Sequence, residues 1–88
     1  MELKYGSKFK RDMKVVLKRG CDPSLLTEVL KVLMAGKPLD SRFCDHVLSG
    51  DYEGYRECHI QADWLLIYRV DGGCLRLRRT GSHSDLFG

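Results

Sequence analysis

The chain has no Cys-x-x-Cys pair. Its cysteines, Cys21, Cys44, Cys58 and Cys74, are separated by 23, 14 and 16 residues, which removes the ligand spacing of the common zinc modules. No two histidines stand as His-x3-His, so neither metal nor cofactor is expected. The thiols are read as reduced packing or surface groups. No apolar run approaches the roughly 20 residues needed to span a bilayer. The first residues lack the basic-then-apolar order of a secretion signal. The expectation is a cytoplasmic protein with no membrane contact. Glycine patterns are missing too. There is no Gly-x-Ser-x-Gly for a serine nucleophile and no phosphate-cradling loop of the Walker or dinucleotide type.

What remains is an 88-residue chain, 43% hydrophobic and 31% charged, the proportions of one ordinary globular domain over residues 1–88. Its net charge of +3 is unevenly spread. Residues 1–20 carry +5, residues 40–63 carry −4, and residues 69–80 return to +3. The basic ends hold Lys10, Arg11, Lys14 and Lys18, then Arg76, Arg78 and Arg79. Two basic segments flanking an acidic middle suit a polyanion such as RNA better than a membrane.

Glu2 to Tyr5 alternates as a short strand with Leu3 and Tyr5 inward, and Gly6-Ser7 ends it, with Ser7 as N-cap of a helix. Phe9, Met13, Val16 and Leu17 recur at helical spacing, opposite the lysines, until Gly20. Asp22-Pro23 restarts a helix whose buried face is Leu25, Leu26, Val29, Leu30 and Leu33. Gly36 and Pro38 close it. From Lys37 to Asp51 the periodicity fades into a loop anchored by Phe43 and Leu48.

Two strands follow, Tyr55–Ile60 and Leu65 onward, the second beginning with the apolar run Leu65-Leu66-Ile67-Tyr68. Gln61 and Ala62 make the tight connection of an antiparallel hairpin. Asp71-Gly72-Gly73 turns the chain into a last strand, where Leu75 and Leu77 alternate with Arg76 and Arg78. His83 to Gly88 reads as a short tail. The fold class is α+β: two N-terminal helices packed on a small, mostly antiparallel sheet, in the order strand-helix-helix-strand-strand-strand.

Three histidines, His46, His59 and His83, all fall at strand ends or beside turns, and histidine is the side chain that exchanges protons near neutral pH. The hairpin brings His59 near Asp63 and Trp64. Metal-free RNA cleavage needs a base for the 2′-hydroxyl, an acid for the 5′-oxygen, a cation for the phosphate and an aromatic surface for a base. Each is available here. Trp64 also suits a core position beside its apolar run. Phe87 could simply pin the tail, and Arg76 and Arg78 could be a solvated face.

Asp45-His46, Gly54-Tyr55-Arg56-Glu57-Cys58-His59, Asp63-Trp64-Leu65-Leu66-Ile67-Tyr68 and Arg79-Thr80-Gly81-Ser82-His83-Ser84-Asp85-Leu86-Phe87 together resemble the YafQ-type toxins of the RelE/ParE superfamily over essentially the whole chain. The resemblance implies a RelE-like fold and a ribosome-dependent mRNA endonuclease held inactive by a cognate antitoxin. It implies His83 as general acid, His46 as base, and His59 and Asp63 as orienting or stabilising groups. It also puts Phe87 in the catalytic set, with Trp64 and Arg79 contacting RNA. Val47 and Ala62 depart from the pattern, where proline is frequent. The basic helix and the Arg76/Arg78 strand are expected to meet ribosomal RNA or an acidic antitoxin segment. The alternatives are a non-catalytic gyrase poison of the ParE kind and a basic module that only binds ribosomes or nucleic acid.

Overall fold

The computed structural model describes residues 1–88. The chain runs β1 (Glu2–Tyr5), α1 (Ser7–Lys18), α2 (Pro23–Met34), β2 (His46–Val47), β3 (Arg56–Gln61), β4 (Trp64–Asp71), β5 (Cys74–Gly81) and α3 (His83–Phe87), with 3-10 turns at Ser41–Phe43 and Gly50–Tyr52. The sheet order is β1-β5-β4-β3-β2. Only β1 and β5 are parallel; the other neighbours are antiparallel. No helix is long and apolar enough to cross a membrane.

β4 is central because its side chains are apolar on both faces. Leu65, Leu66 and Ile67 are completely buried. Leu66 and Tyr68 join Phe9, Val16, Leu26, Val29 and Leu33 under the two long helices. Leu65 and Ile67 point the other way, into a small cluster closed by Leu86, Leu48, Tyr52 and Tyr55. The sheet is therefore covered by helices on one face and only partly covered on the other, and that second face is where the histidines emerge.

Asp22 caps α2 by accepting the Ser24 N–H at 2.9 Å, with Pro23 in the first turn, so this helix begins where expected. Several sequence expectations are corrected. α1 begins at Ser7 itself, and its cap Gly6 has no side chain to bond the free amides. Leu3 and Tyr5 are 39% and 50% exposed, because β1 is an edge strand with a partner on one side only. Leu17 is 46% exposed and lies off the buried face. The expected loop from Lys37 to Asp51 contains β2 and both 3-10 turns, pieces too short to show a period. The hairpin turn falls one residue later, at Ala62-Asp63. The tail is the helix α3, closed by a capping box in which Ser82 and Asp85 bond each other's backbone amides.

All four thiols are unpaired. Burial pushes the Cys58 thiol up to about 12, so it stays neutral in the core.

Candidate active site

On a strand, residues two apart share a face. Glu57 and His59 on β3 therefore both look out of the open face, and β2 adds His46 directly opposite Glu57. His46 Nε2 lies 3.4 Å from Glu57 Oε1 and His59 Nε2 lies 3.7 Å from the same oxygen. His59 meets His46 on one side, ring centroids 6.3 Å apart, and His83 on the other at 5.7 Å. The three imidazoles form a row with His59 in the middle. Glu57 lies beneath its first two members, 4% exposed, with Oε2 buried and unpartnered.

Each end of the row is held from behind. His46 Nδ1 sits 2.7 Å from the Cys44 carbonyl oxygen, so Nδ1 carries the proton it donates and Nε2 faces the site. Cys44 has φ +50°, the one non-glycine residue in the left-handed region, which turns its carbonyl under the ring. Asp45 faces the helix side, where its Oδ1 accepts from Tyr68 Oη at 2.6 Å and Arg56 Nε at 3.2 Å. Burial and then this carboxylate raise the Tyr68 hydroxyl well above its ordinary value, keeping it a donor. Asp45 thus ties β2 to the sheet while His46 points away from it.

At the other end, Asp63 Oδ1 accepts both the His83 backbone N–H at 2.9 Å and its Nδ1–H at 2.7 Å. These two bonds, the backbone one first, hold the Asp63 carboxyl below the usual carboxylate range. His83 Nε2 is left free. The loop before it is fixed by Asp85, which accepts from Arg19 Nη2 at 2.9 Å and from the Ser82 N–H, also at 2.9 Å. The Arg19 guanidinium, then the Ser82 amide, hold the Asp85 carboxyl far below its ordinary value. The residue that caps the C-terminus of α1 is thereby coupled to the segment that presents His83.

The expected residues divide into two groups. His46, His59, Asp63 and His83 come together. Phe87 also belongs to this face: Leu86 pins α3, while Phe87 is 51% exposed with its ring edge-on to Tyr52 at 5.9 Å. Trp64 does not belong. It is 2% exposed, and its Nε1–H donates to Thr80 Oγ1 at 2.8 Å, so the expected stacking surface is a core residue. Arg79 is engaged by Asp12 through Nε at 2.7 Å and Nη2 at 3.0 Å, which makes it a brace between β5 and α1 before it is a cation for phosphate. Its neighbour Arg78 is exposed and lines a groove of about 360 Å³ with Tyr52 and Phe87.

Sequence reasoning gave no role to Glu57, Arg19 or Asp85. Glu57 had a readable signal, its two-residue spacing from His59; the Arg19–Asp85 pair spans 66 residues and had none. The histidine spacing also concealed a cluster of metal-ligand atoms. Glu57, His59 and His83 each offer a ligand atom, all within 4.8 Å of one another. Two imidazoles and a carboxylate with a free buried oxygen fit a divalent transition metal.

A half-covered sheet presenting an exposed row of histidines backed by carboxylates defines a small α+β protein equipped for acid–base work. The chain belongs to the family described as bacterial toxin of type II toxin-antitoxin system, YafQ, whose model matches residues 1–88. It is 36% identical over 88 residues to the mRNA interferase toxin YafQ of Escherichia coli strain K12, covering 99% of this chain and 96% of that protein. A copper-bound mutant toxin from Helicobacter pylori superposes with a TM-score of 0.93 at 42% identity, covering 99% of each chain. YafQ in the E. coli DinJ-YafQ complex superposes with a TM-score of 0.90 at 36% identity, covering 99% of this chain and 98% of that one.

Proposed function

We propose that this chain is the toxin of a type II toxin–antitoxin pair and an mRNA endonuclease working on the ribosome, with a cognate antitoxin covering its open face. The observation that carries the reading is the histidine row itself: His83 Nδ1–H is held by Asp63 at 2.7 Å and His46 Nδ1–H by the Cys44 carbonyl at 2.7 Å, so both end members turn Nε2 toward the same space. In-line cleavage of RNA needs an acid and a base on opposite sides of the phosphorus. A row with one imidazole between its ends supplies that arrangement.

His46 Nε2 takes the proton of the 2′-hydroxyl, whose oxygen bonds to phosphorus. The bond from phosphorus to the 5′-oxygen breaks, and His83 Nε2–H delivers its proton to that oxygen. The products are a 2′,3′-cyclic phosphate and a 5′-hydroxyl. His59, in the middle, donates to a non-bridging phosphate oxygen, and Glu57 stabilises the imidazolium formed at His46. His83 acts as the imidazolium: Asp63 holds the proton on Nδ1, so the proton on Nε2 is the one transferred. Phe87 offers its exposed ring to a neighbouring base. Ribosome contacts fall to the basic faces of α1 and β5, chiefly Lys10, Lys14 and Arg76. The gyrase-poison and binding-only readings have no use for this row.

Primer extension on translated mRNA tests the proposal with the wild type, His83→Ala and His46→Ala. Each substitution is expected to reduce cleavage by about 10²–10⁴-fold in a folded protein. Intact mRNA with the wild type, alongside inhibited supercoiling, would transfer the reading to the gyrase-poison alternative.

A further inference from the structure

β2 pairs with only two residues of β3, Arg56 and Glu57. Beyond them, the edge of β3 from Cys58 to Gln61 has no neighbouring strand. The 3-10 turn Ser41–Phe43 and the start of α2 approach this edge and leave a groove of about 380 Å³. His59 forms part of its wall, so the groove opens directly onto the middle of the histidine row.

The other walls have the chemistry of a base-binding platform. The Arg42 guanidinium lies over the Phe43 ring, its carbon 4.7 Å from the centroid. Asp40 Oδ1 accepts the Arg42 backbone N–H at 3.0 Å and fixes the turn that carries both residues. Phe43 is half-buried against the main core and so is not free to swing away. A guanidinium layered on a ring presents a flat cationic face, which stacks well on a heterocycle. Glu28 contributes the wall's only acid and Gln61 its only amide. A groove that only tracked the phosphate backbone would have no use for a carboxylate, because an acid repels it. An acceptor beside a stacking face instead suits the amino group of a base.

We propose that this groove seats one nucleobase next to the scissile phosphate and sets the base preference of the cut. Arg42, backed by Phe43, stacks on the base, and Glu28 accepts from its exocyclic amino group. Adenine, cytosine and guanine carry such a group and uracil does not, so uracil is disfavoured at this position. The inference rests on the ribonuclease reading above and deepens it.

Two measurements keep the two claims apart. The first maps every cut in a pool of translated mRNAs for the wild type, Glu28→Ala, Arg42→Ala and Phe43→Leu, the last keeping an apolar body against the core. The wild type is expected to discriminate against uracil at one position beside the cut, and Glu28→Ala to weaken that bias about tenfold. Arg42→Ala should slow cutting about tenfold, and Phe43→Leu should do the same to a smaller extent. Identical preference and rate in all three variants would overturn the proposal while leaving the nuclease reading intact. The second needs no cleavage: AMP, CMP and UMP are titrated into the folded His83→Ala protein and followed by amide NMR. Shifts at Arg42, Phe43 and Gln61 with AMP and CMP, but not UMP, support the groove even if mRNA is left uncut. Unmoved amides at those residues, or equal shifts with UMP, overturn it.

Discussion

Asp63, in the turn between β3 and β4, and His83, the first residue of α3, are joined twice by the same carboxylate oxygen: it accepts the His83 backbone N–H at 2.9 Å and the imidazole Nδ1–H at 2.7 Å. The two residues are 20 apart in sequence. One bond fixes where the helix starts and the other fixes which nitrogen faces the site. Orientation and tautomer are set by a single group.

The same region should be acid-sensitive. Asp63 and Asp85 both titrate below their ordinary values in the folded protein, through the His83 amide and the Arg19 guanidinium respectively. An unfolded aspartate titrates near about 3.9. A depressed folded value means these bonds contribute stability fully above that pH and lose it as pH falls toward the folded values. Thermal melts from pH 6 to pH 2 should show the wild type falling steeply below about pH 4. Asp85→Asn should melt lower at pH 6, and its distance from the wild type should narrow steadily as pH falls from about 4 toward 2. Parallel curves for the two proteins would remove Asp85 from the account.

Gly81 is the joint between β5 and α3. Its φ is +155°, and a Cβ there would lie 2.8 Å from Asp85 Oδ2. Gly81→Ala should displace the carboxylate that caps α3 and pairs with Arg19, lowering stability by about 1–3 kcal/mol. Activity should fall further than the folded fraction does, since His83 moves with the cap. A variant with wild-type melting and wild-type cleavage would contradict this.

Trp64 tests the boundary between core and site. Trp64→Phe keeps most of the packing but leaves Thr80 Oγ1 without its 2.8 Å donor, so denaturant melts should show a loss of about 1–2 kcal/mol. The pattern of cuts in mRNA should not change. An altered pattern at unchanged stability would restore Trp64 to the RNA-contacting set.

Zinc or copper should compete with catalysis rather than support it. Glu57, His59 and His83 have ligand atoms within 4.8 Å of one another, and a metal bound there would occupy nitrogens that the proposed proton transfers use. Calorimetry should find about one Cu²⁺ per chain, cleavage should drop as it binds, and chelation should restore it. His59→Ala should weaken binding by at least about tenfold. Activity abolished by EDTA would reverse the sign of this relationship.

The parts of the fold written in long periodic stretches were legible in the sequence. α2 with its Asp22-Pro23 start, the Leu65–Tyr68 run at the sheet centre and the Arg76/Arg78 alternation all lie where their patterns indicate. β2 was not legible, because a two-residue strand has no period and exists only by pairing with Arg56 and Glu57. Phe87 was legible as an aromatic near the end of the chain, but the α3 that holds it depends on the Arg19–Asp85 contact across 66 residues. The structural engagement of Trp64 and Arg79 was not legible, for one reason. Their residue types suit RNA, while Thr80 and Asp12, the partners that engage them, sit 16 and 67 residues away. Local sequence names the functional groups, and distant contacts decide which of them are free.

The central claim, that a histidine pair moves protons while the 2′-oxygen attacks, is tested most directly by the ends of the cut RNA. Translated mRNA is treated with the protein in EDTA-containing buffer, with polyamines keeping the ribosomes intact, and the downstream fragment's 5′ end is examined. The account predicts a 5′-hydroxyl that joins an adaptor only after treatment with a kinase, a cyclic or 3′-phosphate on the upstream piece, and loss of both products with His83→Ala. A 5′-phosphate on the downstream fragment, or undiminished cutting by His83→Ala, would contradict it.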